Sequence, residues 1–353
     1  MKILHVLTSN RFSGAENVVC QIIGMFKNEQ DIEMAYCSPD GEIREALAER
    51  DIRFLPIKRL NKKELRTIIC EYQPDIVHAH DMRASFVAAK TVGKIPMISH
   101  IHNNAFNSRS ISLKSLAYLY AAKKAKHIFW VSESSYAGYT FHNRLAEKST
   151  VLRNIIDINA LQKKMLMDSQ SYHYDIVYLG RLSYEKNPQR LVKVLKKVID
   201  KCGNCKVGII GTGDLENEVK LLTKELGIEK NIEFLGFKSN PLKILSNAKA
   251  TVMTSRWEGT PMCALESMAL GVPMVSTPTD GLKELITDGV NGFLSDDDQV
   301  LAERICVIIQ DEKLHAKMSK AQIEKAEEIN DINNYKQEVK KVYVNALGEE
   351  YNE

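Results

Sequence analysis

The sequence lacks long apolar runs and has little excess of either charge. No uncharged apolar stretch reaches the roughly 18 residues that a membrane-spanning helix needs, and the formal net charge of the 353 residues is only +3. So small a charge gives no reason to expect a nucleic-acid partner, and any electrostatic binding site must be local. No signal peptide is evident, because MKILHVLTSN reads as a short strand followed by polar residues. We therefore expect a cytoplasmic protein.

Cysteine is present, but its pattern indicates neither disulfides nor a metal site. The seven cysteines are an odd number and are scattered, mostly in apolar runs, which is usual for free thiols in a reducing compartment. Cys202 and Cys205 have CxxC spacing, but no second pair and no histidine cluster lies nearby in the sequence. This favours a chance pairing over a zinc or redox site. Low-complexity segments and short-period repeats are also absent.

Short apolar, β-branched runs alternate with amphipathic stretches along the chain. In the first half, runs such as KILHVLTS and DIVHAH alternate with helices predicted over Ala15–Phe26, Ser112–Ala125 and Glu133–Leu145. The pattern restarts at DIVYLGR and continues through KVGIIG and ATVMTS. Such βαβ alternation predicts parallel sheets covered by helices on both faces. The predicted fold class is α/β, with two doubly wound Rossmann-like domains in tandem.

A polar segment without clear periodicity, Asp157–Tyr174, separates the two halves. We predict domains at residues 1–165 and 166–335, with a C-terminal helix and tail at 336–353 that packs back on the first domain. Ligands of doubly wound sheets bind at the carboxyl ends of the strands. The expected site is therefore a cleft between the two domains.

The stretch WEGTPMCALE follows the strand ATVMTS and places Glu258 and Glu266 on either side of a predicted helix start at Pro261. Gly259 lets backbone approach a ligand closely, and the helix start offers free amides to a phosphate. Those amides belong to Met262, Cys263 and Ala264. Because a carboxylate beside a phosphate would repel it, the two carboxylates indicate hydroxyl partners, as in sugars at both ends of a ligand. The alternative is that Glu258 caps the helix and Glu266 is solvated.

Three other loops follow predicted strands of the second half. In GRLSYEKN, Arg181 and Lys186 can together neutralise a diphosphate, or they belong to a basic loop paired with surface acids. IIGTGDLENEV carries Gly211 and Gly213 but lacks the third glycine of a GxGxxG fingerprint. A turn that lines a nucleobase is therefore at least as good an interpretation as a dinucleotide site. TDGLKELI fits either a lining of the same site or an ordinary turn.

In the first half, SGAEN opens a helix after the first strand, so that Gly14 and free amides can meet a phosphate or a sugar. Glu16 is equally well explained as a first-turn residue that favours the helix dipole. Two basic stretches, Lys58–Arg66 and Ala121–His127, are either solvated surface or contacts with anionic lipid.

DIVHAHD and ISHIHNN each place two histidines on one face of a strand, His78 with His80 and His100 with His102. A histidine within a strand is usually a satisfied core residue. His80 and His102, however, end their strands, where sites form in such sheets. No third metal ligand is evident beside either pair, and we expect no metal.

Together these motifs resemble the retaining glycosyltransferases of family 4, typified by sucrose-phosphate and capsular-polysaccharide enzymes. That family has the GT-B fold, in which two Rossmann-like domains face a central cleft. The resemblance covers nearly the whole chain and rests on SGAEN, PDIVHAHD, LRNIID, GRLSYEKN and EGTPMCALESMALGVPMVST.

This sequence departs from the family pattern at three places. Ser13-Gly14 stands where a pair of glycines is usual, and Asn154-Ile155-Ile156-Asp157 replaces the usual Asn-Gly-Val-Asp. Thr260 follows Glu258-Gly259 in place of the common bulky residue, which bears on sugar specificity.

The resemblance implies a role for each matching residue. Residues 1–165 would bind the acceptor and residues 166–335 the nucleotide-sugar donor. The catalytic residues would be Glu258, His102, Lys186 and Arg181. The donor-binding residues would be Gly14, Arg181, Lys186, Gly211, Glu258, Gly259, Met262, Cys263 and Glu266, with Glu258 on the transferred sugar and Glu266 on the ribose. Candidate acceptor contacts are His80, Arg83 and Asn103.

The implied activity is retaining transfer of a hexosyl or N-acetylhexosaminyl group from a nucleotide-sugar, with a UDP-sugar as the default. The acceptor would be a hydroxyl of a saccharide or lipid-linked saccharide in cell-surface polysaccharide or glycoconjugate biosynthesis. No metal or other cofactor is expected, and the first domain is a candidate for peripheral contact with the inner face of the membrane. Two alternatives stay open: a sugar-nucleotide epimerase or hydrolase on the same fold, and a non-catalytic nucleotide-sugar-binding subunit.

Overall fold

The computed structural model describes residues 1–103 and 108–348. The chain divides into two compact units, Met1–Ile155 with Asp331–Glu353, and Ile156–Asn330. Across the described residues, no helix combines the length and the apolar character that crossing a bilayer requires.

The first unit contains a seven-stranded sheet in which all paired neighbours are parallel. Its strands are β1 (Lys2–Val6), β2 (Glu33–Pro39), β3 (Phe54–Ile57), β4 (Ile76–His80), β5 (Met97–Ile101), β6 (His127–Trp130) and β7 (Ser149–Val151), in the spatial order β3-β2-β1-β4-β5-β6-β7. The intervening helices are α1 (Gly14–Phe26), α2 (Ile43–Ala48), α3 (Lys62–Tyr72), α4 (Asp81–Ala89), α5 (Leu113–Lys124) and α6 (Glu133–Ala137). The central strand β4 is buried along its whole length, as expected of a parallel strand covered on both faces.

The second unit contains a six-stranded parallel sheet. Its strands are β8 (Ile176–Leu179), β9 (Val207–Ile210), β10 (Ile232–Gly236), β11 (Ala250–Met253), β12 (Met274–Ser276) and β13 (Gly292–Leu294), in the order β10-β9-β8-β11-β12-β13. Its helices are α7 (Ile158–Leu166), α8 (Pro188–Cys202), α9 (Glu216–Glu225), α10 (Leu242–Ser246), α11 (Met262–Ala269), α12 (Asp280–Leu285), α13 (Asp298–Gln310) and α14 (Glu312–Ile329). The prediction of two doubly wound α/β domains is confirmed.

The last helix, α15 (Ile332–Leu347), belongs to the first unit rather than to the second. It begins after Asp331, whose carboxylate accepts a hydrogen bond from the amide of Asn334, a favourable N-cap. Its Tyr343 hydroxyl lies 2.8 Å from Nδ1 of His78 in β4, and its ring faces Phe26 of α1 at 6.1 Å between ring centres. The chain therefore leaves the first unit after Ile155 and returns to it at Asp331.

These boundaries differ from the predicted limits of 165 and 335. The polar segment Asp157–Tyr174 reads as a linker, yet its first part folds as α7 in the second unit. The Asp157 carboxylate caps that helix by accepting a hydrogen bond from the amide of Ala160 at 2.8 Å. A short helix with one buried side chain, Leu161, carries too little periodicity to be recognised from sequence.

One further local prediction was wrong. The helix predicted over Glu133–Leu145 ends at Ala137, and single turns of 3-10 helix follow at His142–Arg144 and Ala146–Lys148. Tyr139 explains this break, because its ring is buried and its hydroxyl donates to the carbonyl of Ser115 at 2.7 Å. Cys202 of α8 and Cys306 of α13 lie beside each other, with their Cα atoms 6.5 Å apart, and the expectation that all seven cysteines are free thiols stays a prediction. The two cysteines are 104 positions apart in the sequence, and no local pattern links them.

Candidate active site

In the second unit, the loops after β8, β9, β11 and β12 meet at the carboxyl edge of the sheet. The loops after β8 and β9 are joined by a hydrogen bond from the Leu182 amide to the Thr212 carbonyl, 3.0 Å long. A Cβ atom on Gly211 would lie 2.0 Å from the Gly180 carbonyl oxygen, and the backbone of Gly211 has a φ of +126°. Only glycine fits such an approach. Gly211 therefore has a packing role in addition to the donor-binding role predicted for it.

The loops after β11 and β12 are joined in the same way. The Thr277 hydroxyl donates to the Ser255 carbonyl at 2.8 Å. A Cβ atom on Gly281 would lie only 1.3 Å from the carbonyl oxygen of Gly259, so the turn that carries Glu258 and Gly259 rests directly on the start of α12. The sequence allowed two interpretations of the TDGLKELI motif, a lining of the ligand site or an ordinary turn. In the structure, its Gly281 packs against the backbone of the loop that carries Glu258.

Lys186 and Glu258 form an ion pair at this edge, with Nζ and Oε1 2.5 Å apart. Their side chains are only 19% and 8% exposed, and the Ser255 hydroxyl donates to the same Oε1 at 2.6 Å. Burial is the largest single influence on the pKa of Lys186 and lowers it. The Glu258 carboxylate and neighbouring acidic groups together raise the pKa by more, so the pKa of Lys186 lies above its ordinary value. The structure thus brings together two residues that are 72 positions apart in the sequence.

Arg256 ties the Lys186 loop to the Glu258 loop and was missed by sequence reasoning. Its guanidinium donates to the Tyr184 carbonyl at 3.1 Å and to the Asn187 side chain at 2.9 Å, and it lies 4.4 Å from the centre of the Tyr184 ring. Its backbone amide donates to the Glu185 carbonyl at 2.8 Å. Asn187 has a left-handed backbone with a φ of +52°, a conformation that asparagine tolerates better than most residues.

The amino-terminal end of α11 lies beside this ion pair. Pro261 is the N-cap residue, and no side chain caps the helix. The prediction that three amides are free was wrong for one of them, because the Ala264 amide donates to the Pro261 carbonyl at 3.0 Å. Met262 and Cys263 provide the first amides of the helix, where an anion is favoured. Burial raises the pKa of the Cys263 thiol to about 12, although the charge of Lys186 acts in the opposite direction.

Glu266 lies on α11 and is half-buried. Burial raises the pKa of its carboxyl to about 7, and the positive charge of Lys164 on α7 opposes the rise. A carboxyl that titrates near neutrality can change its hydrogen-bonding role on ligand binding. The alternative, in which Glu266 is a fully solvated helix residue, does not agree with its burial.

Arg181 is exposed, and its backbone carbonyl accepts a hydrogen bond from the buried Tyr178 hydroxyl at 2.9 Å. Across residues 1–103 and 108–348 its guanidinium forms no ion pair with a carboxylate. The alternative of a basic loop neutralised by surface acids therefore does not describe Arg181. Within the described residues, the same loop therefore carries one cation without a carboxylate partner, Arg181, and one paired cation, Lys186.

In the first unit, the ends of β1, β4 and β5 place three further polar groups together. Glu16, in the first turn of α1 after Gly14, is buried and accepts a hydrogen bond from the Ser13 hydroxyl. Asp81 follows β4, has a φ of +68° and accepts a hydrogen bond from the His102 amide at 3.2 Å. Burial raises the pKa of Asp81 to about 6; the His102 amide opposes this rise and the charge of Glu16 adds to it. Asp81 was not predicted from the sequence.

The histidines form a hydrogen-bonded chain across three strands. His5 Nδ1 lies 3.0 Å from His80 Nε2, and His80 Nδ1 lies 2.8 Å from His102 Nε2. Burial, with a smaller repulsion from His102, lowers the pKa of His5 to about 3, and burial lowers that of His102 to about 3. The three imidazoles are therefore neutral at pH 7, and His80, between the other two, donates through one ring nitrogen and accepts through the other. His80 thereby sets which nitrogen of His102 carries its proton.

The sequence showed no third metal ligand, but the sheet supplies one for each histidine pair. Three imidazole nitrogens lie within 4.8 Å of one another in two sets, His5 with His78 and His80, and His80 with His100 and His102. Both nitrogens of His80 already contact other imidazoles. The rings of His78 and His80 stack at 4.3 Å, and those of His100 and His102 at 4.1 Å. Stacked rings do not aim their lone pairs at one point as the ligands of a tetrahedral ion do, so the geometry fits a hydrogen-bonded chain better than a metal set.

The candidate acceptor residues have different surroundings. His80 is 1% exposed and both its ring nitrogens are engaged, so it can act only through His102, and its predicted direct contact with an acceptor does not agree with this burial. Arg83, in the first turn of α4, and Asn103, after His102, are exposed. Their predicted contact with an acceptor stays a prediction. Nδ1 of His102 has no hydrogen-bond partner within the described part of the chain.

Comparison with known proteins agrees with this architecture. The family model described as Glycosyltransferase Family 4 matches residues 12–160, and the model described as Glycosyl transferases group 1 matches residues 168–325. Two uncharacterized glycosyltransferases of Methanocaldococcus jannaschii are 29% and 27% identical over 67% and 62% of this chain. Those alignments span 64% and 61% of the two relatives' own length.

Other similarities cover more of the chain. A galactosyltransferase of Escherichia coli, named UDP-Gal:alpha-D-GlcNAc-diphosphoundecaprenol alpha-1,3-galactosyltransferase, is 25% identical over 83% of this chain and 84% of its own. The structure of Anabaena HepE in complex with UDP-glucose superposes with a TM-score of 0.83 at 21% identity, over 98% of this chain and 100% of that one.

The fold is that of the GT-B proteins, with two Rossmann-like domains of seven and six parallel strands. The chain belongs to the GT-B glycosyltransferases of the family 4 type.

Proposed function

We propose that this protein transfers a hexosyl or N-acetylhexosaminyl group from a UDP-sugar to a hydroxyl of a saccharide, with retention of the anomeric configuration. The observation that carries the proposal is the buried Lys186–Glu258 ion pair beside the uncapped start of α11 and the exposed Arg181. The UDP-glucose complex of HepE and the UDP-Gal donor in the name of the E. coli relative support a UDP-sugar.

The residues suit the departure of a nucleoside diphosphate. Arg181, Lys186 and the first amides of α11 would stabilise the negative charge that develops on the leaving diphosphate, without a metal cofactor. The Glu258 carboxylate would accept hydrogen bonds from hydroxyls of the transferred sugar. On donor binding, the Glu258 carboxylate would give up its contact with Lys186 and bind the sugar hydroxyls instead. The Lys186 ammonium could leave Glu258 because the diphosphate offers it another negative partner.

The ribose would be held by Glu266, and Gly259 with the backbone near Met262 and Cys263 would contact the sugar and phosphate. In the first domain, Gly14 would lie beneath the diphosphate, and His102 would meet the reacting face of the sugar as a neutral hydrogen-bonding group. The leaving phosphate oxygen would take the proton of the attacking acceptor hydroxyl, so that no protein nucleophile is needed.

The acceptor class rests on the names of relatives. The E. coli relative and a Campylobacter jejuni N-acetylgalactosaminyltransferase, which is 29% identical over 48% of this chain, are named for saccharides on diphosphoundecaprenol. A lipopolysaccharide 1,6-galactosyltransferase of Salmonella typhimurium is 26% identical over 80% of this chain. We propose a saccharide or lipid-linked saccharide acceptor in the synthesis of a cell-surface polysaccharide or glycoconjugate.

The test compares Lys186→Ala and Glu258→Ala with Lys196→Ala, which removes a partly exposed cation of α8 paired with Asp200. We expect kcat/KM for transfer from UDP-sugars to fall by about 100- to 1000-fold in the first two variants, the loss typical of removing a group that stabilises transition-state charge. Lys196→Ala should transfer normally. Circular dichroism checks that each variant folds.

Product analysis separates the proposal from its rivals. NMR spectroscopy of the product should show the anomeric configuration of the donor. Release of free sugar regardless of acceptor, or epimerised nucleotide-sugar, would point to a hydrolase or an epimerase. Donor binding without turnover across a broad acceptor panel would identify a binding subunit.

A further inference from the structure

One segment of the first unit is strongly cationic although the whole chain is nearly neutral. Residues 82–132 contain eight lysines and arginines and no aspartate or glutamate. The net charge of the whole chain is +3, so the remaining residues together carry −5. Such a separation of charge within one chain indicates a binding surface for an anion-rich partner.

The helix α5 lies within this segment and exposes apolar side chains. Leu113 is 88% exposed, Leu116 46% and Tyr120 42%, and Ile111, just before the helix, is 73% exposed. We call these four residues the α5 face. Positions 113, 116 and 120 lie on one side of the helix, because residues three and four apart share a face. The opposite side of α5 is also apolar and is buried, through Tyr118 and Leu119.

Lysines border the α5 face and stack on its aromatic ring. Lys114 and Lys123 are exposed on the same helix. Nζ of Lys124 lies 5.0 Å from the centre of the Tyr120 ring, and that ring meets Phe86 of α4 edge to face at 6.1 Å. Lys90 of α4 lies over Phe86 at 4.5 Å. The cations therefore extend across both helices around an apolar centre.

We propose that the α5 face and its surrounding lysines bind the surface of an anionic lipid bilayer. An exposed apolar strip enters the boundary between headgroups and acyl chains, while lysines at its border remain among anionic headgroups. Each lysine near such a surface adds to the attraction towards anionic headgroups. A protein partner fits less well, because the cores of protein interfaces are depleted in lysine.

The proposal distinguishes between the two basic stretches of the first unit. Lys58–Arg66 leads into α3, whose large apolar side chains Leu65, Ile68, Ile69 and Tyr72 are buried. That stretch also contains Glu64 and is followed by Glu71. It offers charge without an exposed apolar strip, so we infer that it is solvated surface. Ala121–His127 ends the helix that carries the α5 face and belongs to the binding surface.

The experiment measures co-sedimentation of the full chain with phosphatidylcholine vesicles prepared with and without phosphatidylglycerol. Leu113→Ser with Leu116→Ser removes the apolar strip, and Lys114→Glu with Lys123→Glu reverses charge beside it. The matched apolar control is Leu166→Ser with Met167→Ser, since these side chains are 70% and 81% exposed on the second unit. The matched charge control is Lys62→Glu with Lys63→Glu on α3.

We expect the wild-type chain to sediment with phosphatidylglycerol vesicles, less so at high salt. Each α5 variant should lower the partition coefficient at least about tenfold, or about 1.4 kcal/mol, while both controls bind like the wild type. The proposal is overturned if the wild type does not sediment, if phosphatidylcholine alone binds it equally well, or if the controls lose as much binding as the α5 variants.

The inference does not depend on the proposed activity. Binding of UDP-glucose, measured by calorimetry without vesicles, should be the same in the wild type and in all four variants, which also shows that they fold. Vesicle binding without sugar transfer would support the membrane surface and count against the proposed function, and transfer without vesicle binding would do the reverse.

Discussion

Glu266 is a half-buried carboxyl group, and its position determines its protonation state. A pKa raised to about 7 means that burial favours the neutral carboxyl in the free protein. Glu266 therefore adds to the free energy of unfolding at a pH below the ordinary pKa of a glutamate, where its carboxyl is protonated. This stabilisation is lost as the pH rises through 7 and the half-buried group must ionise. Ligand binding should show the opposite trend, because the proposed contact with the ribose hydroxyls needs the ionised carboxylate as acceptor.

We therefore expect the affinity for UDP-glucose to rise between pH 6 and pH 8. A group with a pKa near 7 is about one-tenth ionised one pH unit lower, so the dissociation constant should be up to about tenfold larger at pH 6. Calorimetry across this range provides the measurement. Glu266→Gln should bind weakly with an affinity that no longer changes with pH, and an unchanged pH dependence in this variant would exclude Glu266 as the responsible group.

The residues of the second domain that belong to local motifs could be predicted from the sequence, and those that act across loops could not. Lys186 and Glu258 lie in motifs with a helix or turn context, and the structure pairs them. Arg256 reads as an ordinary charged loop residue, because its partners Tyr184 and Asn187 precede it by 72 and 69 positions. Asp81 is similar, since its raised pKa arises from burial and from Glu16 in the first turn of α1, 65 positions earlier in the sequence.

At the scale of elements, the turn that carries Glu258 depends on a neighbouring helix start. Gly281→Ala would place a Cβ atom 1.3 Å from the Gly259 carbonyl oxygen, a distance that only backbone movement can relieve. We expect this variant to lose transfer activity and about 1–3 kcal/mol of unfolding free energy, the usual cost of overpacking. Activity assays and thermal unfolding measure the two effects.

A second glycine provides the control for Gly281. A Cβ atom on Gly24, within α1, would meet no atom within 4 Å. Gly24→Ala should keep full activity and raise the unfolding free energy by up to about 1 kcal/mol, because alanine favours a helix more than glycine does. Equal activity in the two variants would show that the α12 contact does not position the Glu258 turn.

Long amphipathic helices and buried strands were predictable as elements, whereas short ones were not. The helix predicted over Ser112–Ala125 is observed as Leu113–Lys124, with Ser112 as its capping residue. The sequence suggests a linker where α7 forms, because the Asp157 cap that starts this helix is not visible as a hydrophobic pattern. It suggests a helix as far as Leu145, because the buried Tyr139 ring that interrupts this helix fits the helical pattern equally well. Hydrophobic period alone does not report such contacts.

At the scale of the whole molecule, the first domain is built from two separate parts of the chain. Tyr343, near the end of the last helix, is fully buried and its hydroxyl contacts His78 in β4. We expect Tyr343→Ala to destabilise the first domain by about 3–5 kcal/mol, as for other large buried aromatic residues. Hydrogen exchange in β1 and β4 gives the measurement.

Lys341→Ala is the matched control, because this residue is exposed on the same helix. Its effect should stay within about 0.5 kcal/mol. The second domain should keep its exchange protection in both variants. Faster exchange throughout the second domain in Tyr343→Ala would contradict the assignment of α15 to the first domain alone.

The late return of α15 also has a consequence for synthesis on the ribosome. Domains usually fold as they emerge, with the amino-terminal one first. Here the seven-stranded sheet is translated early, but Tyr343 and its neighbours follow only after the whole second unit has been translated. The uninterrupted stretch Ile156–Asn330 can be complete before that. The order of maturation during translation should therefore be inverted, with the seven-stranded unit completed after the six-stranded one.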